Sequence, residues 1–447
     1  MVRLSGPNAL TIASRLFHGS SPLDQCPTHT LHHGTLKDDG DLLDDAVAGL
    51  FRAPRSYTGE DVVEFSCHGG AHLLRRVLDA CLRAGARMAD PGEFTRRAFL
   101  NGKLDLAQAE AVGDLIAARS DAQRRLALES LRGGLSKKLA PLRGRALDLL
   151  AHLEARLDFV EEEIPDLSRA AIRKGLESLK ADLAALLGSS GNGRLWREGL
   201  KIAIAGRPNA GKSSLFNALL QENRAIVADV AGTTRDTLEE SAVWDGVPVT
   251  LVDTAGLRET ADAVEKEGTD RARRALTEAD LVFLVVEAGH GPLPEDRIVA
   301  EEVRGRPTVL VLNKADLLQT HLRQARHPGE SRDDEPKEWG LPNIPTVFVS
   351  ALSGDGLIDL RREALRVAGG GQEPKEPGIV FNARQEHRLR ETLSALNEAC
   401  VAVDNSAPEE TLAIDLRLAL AGLNAVTGEG APEEVLDAIF SRFCVGK

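Results

Sequence analysis

A glycine-rich loop between a predicted strand and a predicted helix is the feature that most constrains this chain. Residues 206–213 read GRPNAGKS and match the phosphate-loop pattern GxxxxGK followed by serine or threonine. They follow an apolar run at 201–205 and precede a helical pattern at 214–220. In this setting the glycines let backbone N–H groups surround phosphates, Lys212 reaches the outer phosphates, and Ser213 can ligate magnesium. A chance match in a glycine-rich turn does not account for both neighbours, so we predict a nucleotide site.

Further short β-rich runs alternate with helical stretches in the same part of the chain. They lie at 249–252, 281–286, 308–312 and 346–349. This alternation is typical of a mostly parallel sheet flanked by helices. Asp245 and Gly246 are predicted to form the turn of a hairpin at the edge of the sheet. Charged, proline-containing sequence at about 321–345 is predicted to form a long exposed loop.

Three further motifs each follow one of these strands. The motif DTAG begins at Asp253, whose carboxylate can hold magnesium, and ends at Gly256, whose amide can sense the terminal phosphate. In NKAD, Asp316 can accept both N–H donors on the Watson–Crick edge of guanine, a pair that adenine lacks, so the motif indicates GTP. The segment SAL is placed for a backbone contact to the guanine oxygen. The predicted nucleotide-binding residues of these elements are Asn209, Ala210, Gly211, Lys212, Ser213, Ser214, Asp253, Thr254, Ala255, Gly256, Asn313, Lys314, Ala315, Asp316, Ser350, Ala351 and Leu352.

The polar segment 228–236 is a candidate switch loop. Thr234 is a predicted magnesium ligand that would order this loop when GTP is bound, together with Ser213 and Asp253. Read alone, the segment is simply a polar loop. Its predicted nucleotide-binding residues are Ala228, Asp229, Val230, Ala231, Gly232, Thr233 and Thr234.

Helical patterning on both sides of this segment indicates a multidomain chain of 447 residues. Apolar residues recur at intervals of three and four between about 104 and 187, and helical patterning resumes after the glycines at 369–371. We therefore expect an α/β plus α fold, with a Ras-like P-loop domain inserted into a helical domain and an α+β amino-terminal domain. The predicted boundaries are 1–100 for the amino-terminal domain, 101–196 with 366–447 for the helical domain, and 197–365 for the GTPase domain.

Composition excludes several classes of protein. A net charge of −13 argues against nucleic-acid binding by charge alone. The five cysteines lack CxxC spacing, so neither a disulfide framework nor a zinc site is indicated, and a reducing cytoplasm is the expected setting. Without an apolar run of about 18 residues, no membrane span is predicted.

Motifs inside and outside the nucleotide site together resemble the MnmE (TrmE) family of tRNA-modifying GTPases. The segments GRPNAGKSSLFNAL, DVAGTTRD, DTAGLR and NKAD carry this resemblance within the GTPase domain. Outside it, the resemblance rests on SYTGEDVVEFSCHGG at 56–70, PGEFTRRAFLNGKLDLAQAEAV at 91–112 and the final FCVGK. It therefore extends over nearly the whole chain.

The resemblance implies potassium-dependent hydrolysis of GTP. Leu257 follows DTAG and cannot orient a water molecule as the glutamine of Ras-like enzymes does, so another device is required. In the family, a potassium ion does the electrostatic work of an arginine finger and a glutamate positions the water. By position that glutamate is Glu265, which read alone is a surface carboxylate. The implied potassium ligands are Asn209, Ala228, Val230 and Thr233.

The resemblance also implies a folate site and a homodimer formed by the amino-terminal domain. The donor is a reduced folate, 5-formyl- or 5,10-methylene-tetrahydrofolate. Cys444 is a candidate nucleophile or one-carbon relay because a thiolate is the strongest side-chain nucleophile near neutral pH. A structural cysteine is the alternative. The positions that match the folate ligands are Arg3, Glu64, Lys103 and Lys447.

The implied activity is modification of the tRNA wobble uridine at carbon five with an aminomethyl or carboxymethylaminomethyl group. An FAD-binding MnmG (GidA)-type partner is expected, giving a heterotetramer. The rival hypothesis is a ribosome-assembly GTPase, a switch without covalent chemistry. Family members carry a further strand and a PPGRGG-type segment before VRLSG, so we expect either a truncated or misassigned start or an amino-terminal folate domain without that edge.

Overall fold

A computed structural model describes residues 1–158, 168–190, 193–221, 239–253, 273–289, 292–318, 344–372, 376 and 378–446. The chain divides into two compact units. The first consists of Met1–Ile116, Ala127–Ala184 and Arg384–Lys447, and the second of Ala117–Leu126 and Ala185–Ala383. The boundaries predicted for three domains stay a prediction.

Within residues 1–158, an antiparallel sheet of five strands forms the amino-terminal part of the first unit. The strands are β1 (Val2–Ser5), β2 (Phe17–Gly19), β3 (Thr30–Asp38), β4 (Asp41–Phe51) and β5 (Val62–Ser66). Their order is β1-β5-β4-β3-β2.

The helices can be numbered along the chain. They are α1 (Ala9–Leu16), α2 (Ala71–Arg83), α3 (Glu93–Leu100), α4 (Leu106–Ala117), α5 (Asp121–Leu131), α6 (Gly134–Asp158), α7 (Arg169–Ser189), α8 (Gly193–Glu198), α9 (Lys212–Gln221), α10 (Pro294–Glu302), α11 (Leu357–Ala368), α12 (Ala383–Asp404), α13 (Glu409–Thr427) and α14 (Glu433–Phe440). A further short helix covers 273–278. In the described ranges, none combines the length and apolar character needed to cross a membrane.

Helices α1 and α2 pack on one face of the amino-terminal sheet. Leu50 and Phe65 of the sheet and Val77 of α2 are fully buried in this core. The alternation of each strand sends these side chains inward, and burial of large apolar side chains stabilises the layer by roughly 1.5–3 kcal/mol each.

A buried polar network joins three helices of the first unit. The Glu110 carboxylate of α4 accepts two hydrogen bonds of 2.8 Å from the Arg384 guanidinium of α12 and one of 2.7 Å from Gln385. Arg384 also donates to the carbonyl oxygens of Ala425 and Val426 in α13. Glu110 is only 8% exposed, so its charge depends on these partners.

The second unit is built on a six-stranded sheet. Its described strands are β6 (Leu200–Ala205), β7 (Glu239–Trp244), β8 (Val247–Asp253), β9 (Leu281–Glu287), β10 (Thr308–Asn313) and β11 (Thr346–Phe348). The order is β11-β10-β9-β6-β8-β7, parallel throughout except for the antiparallel β7–β8 hairpin. The turn of that hairpin is Asp245 and Gly246, as predicted, and both residues have positive φ. The loop predicted at 321–345 lies almost wholly outside the described residues.

Replacing Glu110 with alanine is expected to destabilise the first unit. The substitution leaves the Arg384 guanidinium without its carboxylate, so we expect the free energy of unfolding to fall by about 3 kcal/mol. Urea unfolding followed by helical circular dichroism measures the change. Glu154→Ala is the matched control, because its pair with Arg417 is exposed and should contribute less than about 1 kcal/mol. Equal effects of the two variants would contradict a special role for the buried network.

Candidate nucleotide-binding site

The phosphate loop connects β6 to α9 and is packed too closely for side chains at two glycines. A Cβ at Gly206 would lie 2.3 Å from the Val285 carbonyl oxygen, and a Cβ at Gly211 would lie 2.2 Å from the Asn313 Nδ2 atom. Both glycines also have positive φ, at +156° and +91°. Glycine is therefore required at these positions by the backbone conformation and by the neighbouring strands.

The loop presents its lysine at the start of α9. Lys212 is the first residue of that helix and is 7% exposed, and its Nζ atom donates a 2.8 Å hydrogen bond to the Arg207 carbonyl oxygen. The exposed Asn209 lies earlier in the loop and has the left-handed φ of +63°. Because backbone N–H groups at a helix N-terminus are unpaired within the helix, this arrangement can bind phosphate oxygens.

Two predicted magnesium ligands meet at the edge of the sheet. The Ser213 hydroxyl donates a 3.0 Å hydrogen bond to Asp253 Oδ2, and Asp253 is only 3% exposed. The contact forms because β8, which ends at Asp253, lies beside β6. Magnesium prefers oxygen ligands and usually keeps several waters, so this hydroxyl and carboxylate fit the ion.

The predicted base-reading segments lie at the ends of β10 and β11. The buried Asn313 side chain donates to the Ala210 carbonyl oxygen at 3.0 Å and accepts from the Ala351 N–H at 3.2 Å. Ser350 donates a 2.6 Å hydrogen bond to Asp316 Oδ1. The structure therefore brings the NKAD and SAL motifs together with the phosphate loop.

Other predicted residues lie outside the described part of the chain. They comprise nucleotide, potassium, magnesium and water-positioning predictions and one predicted folate ligand. These are Ala228, Asp229, Val230, Ala231, Gly232, Thr233, Thr234, Thr254, Ala255, Gly256, Glu265 and Lys447.

A charge cluster beside the phosphate loop was not predicted. Glu287 Oε2 lies 3.0 Å from Arg207 Nη2 and 3.1 Å from Lys314 Nζ. The hydrogen bond from Lys314, with Arg207 nearby, lowers the pKa of the Glu287 carboxyl. Arg207 Nε is also 3.4 Å from the buried Asp296 carboxyl. One sequence feature could have indicated this cluster. Glu287 directly follows the apolar run 281–286, at the end of a parallel strand where ligands bind.

In the first unit, two of the predicted folate residues are in contact. Arg3 and Glu64 face each other on β1 and β5 and form a 2.6 Å ion pair. The Arg3 guanidinium also lies 5.7 Å from the Tyr57 ring centroid and 5.5 Å from that of Phe94. Arg3 contributes to the wall of a cavity of about 590 Å³.

The carboxyl-terminal segment reaches the same cavity. Val445 forms an antiparallel bridge with Pro91, and Val445 and Gly446 line the cavity with Arg3. Cys444 is exposed, and its carbonyl oxygen is 3.5 Å from the Gly92 nitrogen. In contrast, Lys103 is not among the described residues that line this cavity, and its Nζ atom donates to the Pro54 carbonyl oxygen at 3.1 Å.

The second unit has the fold of a P-loop GTP-binding protein, because its phosphate loop and the predicted base-reading segments NKAD and SAL converge on one edge of a parallel sheet. Comparisons with known proteins agree. The family model "MnmE helical domain" matches residues 106–444, and "GTP-binding protein TrmE N-terminus" matches residues 1–103. The chain belongs to the MnmE (TrmE) family, as its motifs predicted, and the predicted fold class is confirmed.

Curated relatives match from end to end. The chain is 46% identical over 451 residues to the tRNA modification GTPase MnmE of Symbiobacterium thermophilum, covering 100% of this chain and 96% of the relative. Identity to the protein of the same name from Nostoc sp. is 43%, with coverages of 100% and 95%. Among solved structures, the G domain of the T. maritima FeoB iron transporter is 28% identical, with a TM-score of 0.28, and the match covers 38% of this chain and 98% of that one.

Replacing Asp316 with asparagine is expected to shift base preference from guanine to xanthine nucleotides. The change replaces an acceptor with a donor opposite the base edge, and the 2.6 Å hydrogen bond from Ser350 holds the side chain in place. Competition binding of GTP and xanthosine triphosphate measures the shift, with Asp359→Asn on α11 as a surface control. Unchanged GTP affinity and no gain for the xanthine nucleotide would overturn the assignment of Asp316.

Proposed function

We propose that this protein hydrolyses GTP in a potassium-dependent cycle that drives modification of tRNA. The reaction adds an aminomethyl or carboxymethylaminomethyl group to carbon five of the wobble uridine, together with an FAD-binding MnmG-type partner. The proposed GTP hydrolysis is supported by the convergence of Lys212, Asn313 and Asp316 on one edge of the sheet. The name "tRNA modification GTPase", borne by full-length relatives, supports the tRNA half.

The phosphate and base contacts follow from the geometry of the described residues. Lys212 exchanges the Arg207 carbonyl oxygen for the charged oxygens of the outer phosphates, while the N-terminus of α9 supplies backbone N–H groups. Asp316 accepts the two guanine donors, and Ser350 orients its carboxylate. Ser213 and Asp253 would hold magnesium, and the bound ion would supply positive charge that offsets the charge of the phosphates.

Potassium is the proposed substitute for an arginine finger. Asn209 lies in the phosphate loop with its side chain exposed, and its left-handed backbone sets the direction of that side chain. The other proposed ligands are Ala228, Val230 and Thr233, with Glu265 positioning the attacking water. A cation held by neutral oxygens and an amide offsets charge that develops between the outer phosphates in the transition state.

The amino-terminal cavity is the proposed folate site. Its volume of about 590 Å³ lies within the range of roughly 300–1,000 Å³ that is typical of ligand sites. Four arginines, Arg3, Arg75, Arg87 and Arg97, and one carboxylate, Glu93, lie in an otherwise largely apolar wall. This excess of cations suits an aromatic ring system with carboxylates. Glu64, which forms an ion pair with Arg3 across β5 and β1, is a proposed folate ligand. We propose Lys103 and Lys447 as further ligands.

Cys444 is proposed to act as the nucleophile or one-carbon relay. The position of the adjacent Val445 and Gly446 in the wall of the cavity supports this role. We further propose that the protein is a cytoplasmic homodimer and forms a heterotetramer with the MnmG-type partner. The family assignment favours tRNA modification over a ribosome-assembly switch, because the FCVGK segment is one of the motifs that carry the resemblance to the MnmE family.

Hydrolysis of GTP is expected to be at least about tenfold faster in potassium chloride than in sodium chloride. An arginine finger contributes about 10³–10⁵ in rate, so a partial substitute should give an effect of this size. Asn209→Ala should remove most of the stimulation and leave nucleotide affinity nearly intact, because Lys212 and the loop backbone remain. Steady-state phosphate release at constant ionic strength measures both. Equal rates in the two salts would refute the potassium mechanism but not GTP binding.

Cys444→Ser is expected to abolish tRNA modification while GTP turnover is retained. The hydroxyl is a far weaker nucleophile than a thiolate near neutral pH. Mass spectrometry of tRNA nucleosides from cells that carry only the variant measures the wobble modification, and phosphate release measures turnover. Cys67→Ser is the matched control, since that half-buried thiol follows β5 and is not among the described residues that line the cavity. Parallel loss of both activities would indicate a structural role for Cys444.

A further inference from the structure

Strand order places one carboxylate between the two nucleotide-binding loops. β9 lies between β6, which precedes the phosphate loop, and β10, which precedes the NKAD segment. Glu287 is the last residue of β9, and it pairs directly with Asn313 in the register of β9 and β10. The backbone continues this link, because the Ala288 N–H donates to the Asn313 carbonyl oxygen at 2.7 Å.

The Glu287 side chain joins a cation from each loop. A single oxygen, Oε2, lies 3.0 Å from Arg207 in the phosphate loop and 3.1 Å from Lys314 in NKAD. The Glu287 side chain is 22% exposed and that of Arg207 16%, so the contact is partly shielded from water. Two cations that share one acceptor would repel each other if its charge were removed.

The two cations differ in how far they depend on Glu287. Arg207 has a second carboxylate nearby, at Asp296, which is held at the start of α10 by the Leu293 N–H. Within the described part of the chain, Glu287 is the one carboxylate paired with Lys314. Lys314 also has a left-handed φ of +61°, a conformation that costs free energy outside glycine unless the surroundings stabilise it.

We propose that Glu287 is a positioning residue that couples the base-reading loop to the phosphate loop. Glu287 holds the Lys314 side chain at the base site. Through Arg207 it also links Lys314 to the phosphate loop, where the Arg207 carbonyl oxygen accepts a hydrogen bond from Lys212. A nucleotide that contacts both loops is then released only when this bridge relaxes. This role rests on the proposed GTP binding and adds a determinant of nucleotide residence time to it.

Glu287→Gln tests the coupling, because glutamine keeps an acceptor oxygen and loses the charge. The dissociation rate of a fluorescent GDP should rise about tenfold, which corresponds to about 1.4 kcal/mol. Preference for guanine over xanthine nucleotides should be retained, since Asp316 is untouched. Glu287→Asp, which keeps the charge, should restore at least part of the slow release. Glu301→Gln is the matched control, because Glu301 lies near the carboxyl end of α10 and its pair with Arg304 is exposed.

A double-mutant cycle separates positioning from general loss of structure. In a Lys314→Met background, Glu287→Gln should add far less than in the wild type, because the main recipient of its charge is gone. Without nucleotide, Glu287→Gln should keep the helical circular dichroism of the wild type and unfold in one cooperative transition. The coupling alone would be overturned if Glu287→Gln released GDP at the wild-type rate, if the two substitutions were fully additive, or if that cooperative transition were lost. A wild-type chain that does not bind GDP would overturn the proposed function as well.

Discussion

The buried amide of Asn313 is the contact on which the nucleotide site depends. Its Nδ2 atom donates to the Ala210 and Gly211 carbonyl oxygens at 3.0 and 3.4 Å, and its Oδ1 atom accepts from the Ala351 N–H. One side chain thus satisfies polar backbone groups of two loops that follow different strands. Since unsatisfied buried polar groups are costly, these loops are held in one arrangement. The Asn313 amide also requires glycine at position 211, because a Cβ there would lie 2.2 Å from the Asn313 Nδ2 atom.

The electrostatics of the site run against the charge of the chain as a whole. With a net charge of −13, the protein does not attract a polyanion at long range, so the phosphates must be bound by local groups. Those groups are positioned by protein atoms, since the Lys212 ammonium contacts a carbonyl oxygen and a carboxylate holds Arg207. A phosphate oxygen carries charge that the neutral carbonyl lacks, so exchange of that carbonyl for phosphate adds Coulomb attraction to Lys212 and favours the nucleotide.

In the second unit, strands β6, β8, β10 and β11 were predictable because a motif with strict geometry follows each of them. The run predicted at 201–205 is β6, and the run at 308–312 lies within β10. Strands β3 and β4 were missed, since Leu31 is 73% exposed and the apolar pattern of β3 therefore does not mark its buried face. The turn between these strands carried a signal, because Asp39 and Gly40 are a typical hairpin pair and both have positive φ.

The pairing of side chains at the binding edge was beyond prediction for a different reason. Parallel strands end on the same side of a sheet, so the motifs alone predict that edge. Which side chains meet there depends on strand order, and β9 could have been placed at several positions consistent with the sequence. Its position between β6 and β10 is what lets Glu287 reach Arg207, 80 residues away, and Lys314 together. An acidic residue at the end of β8 or β11 would not lie between those two loops, so strand order, and not the motifs, makes Glu287 the residue that joins them.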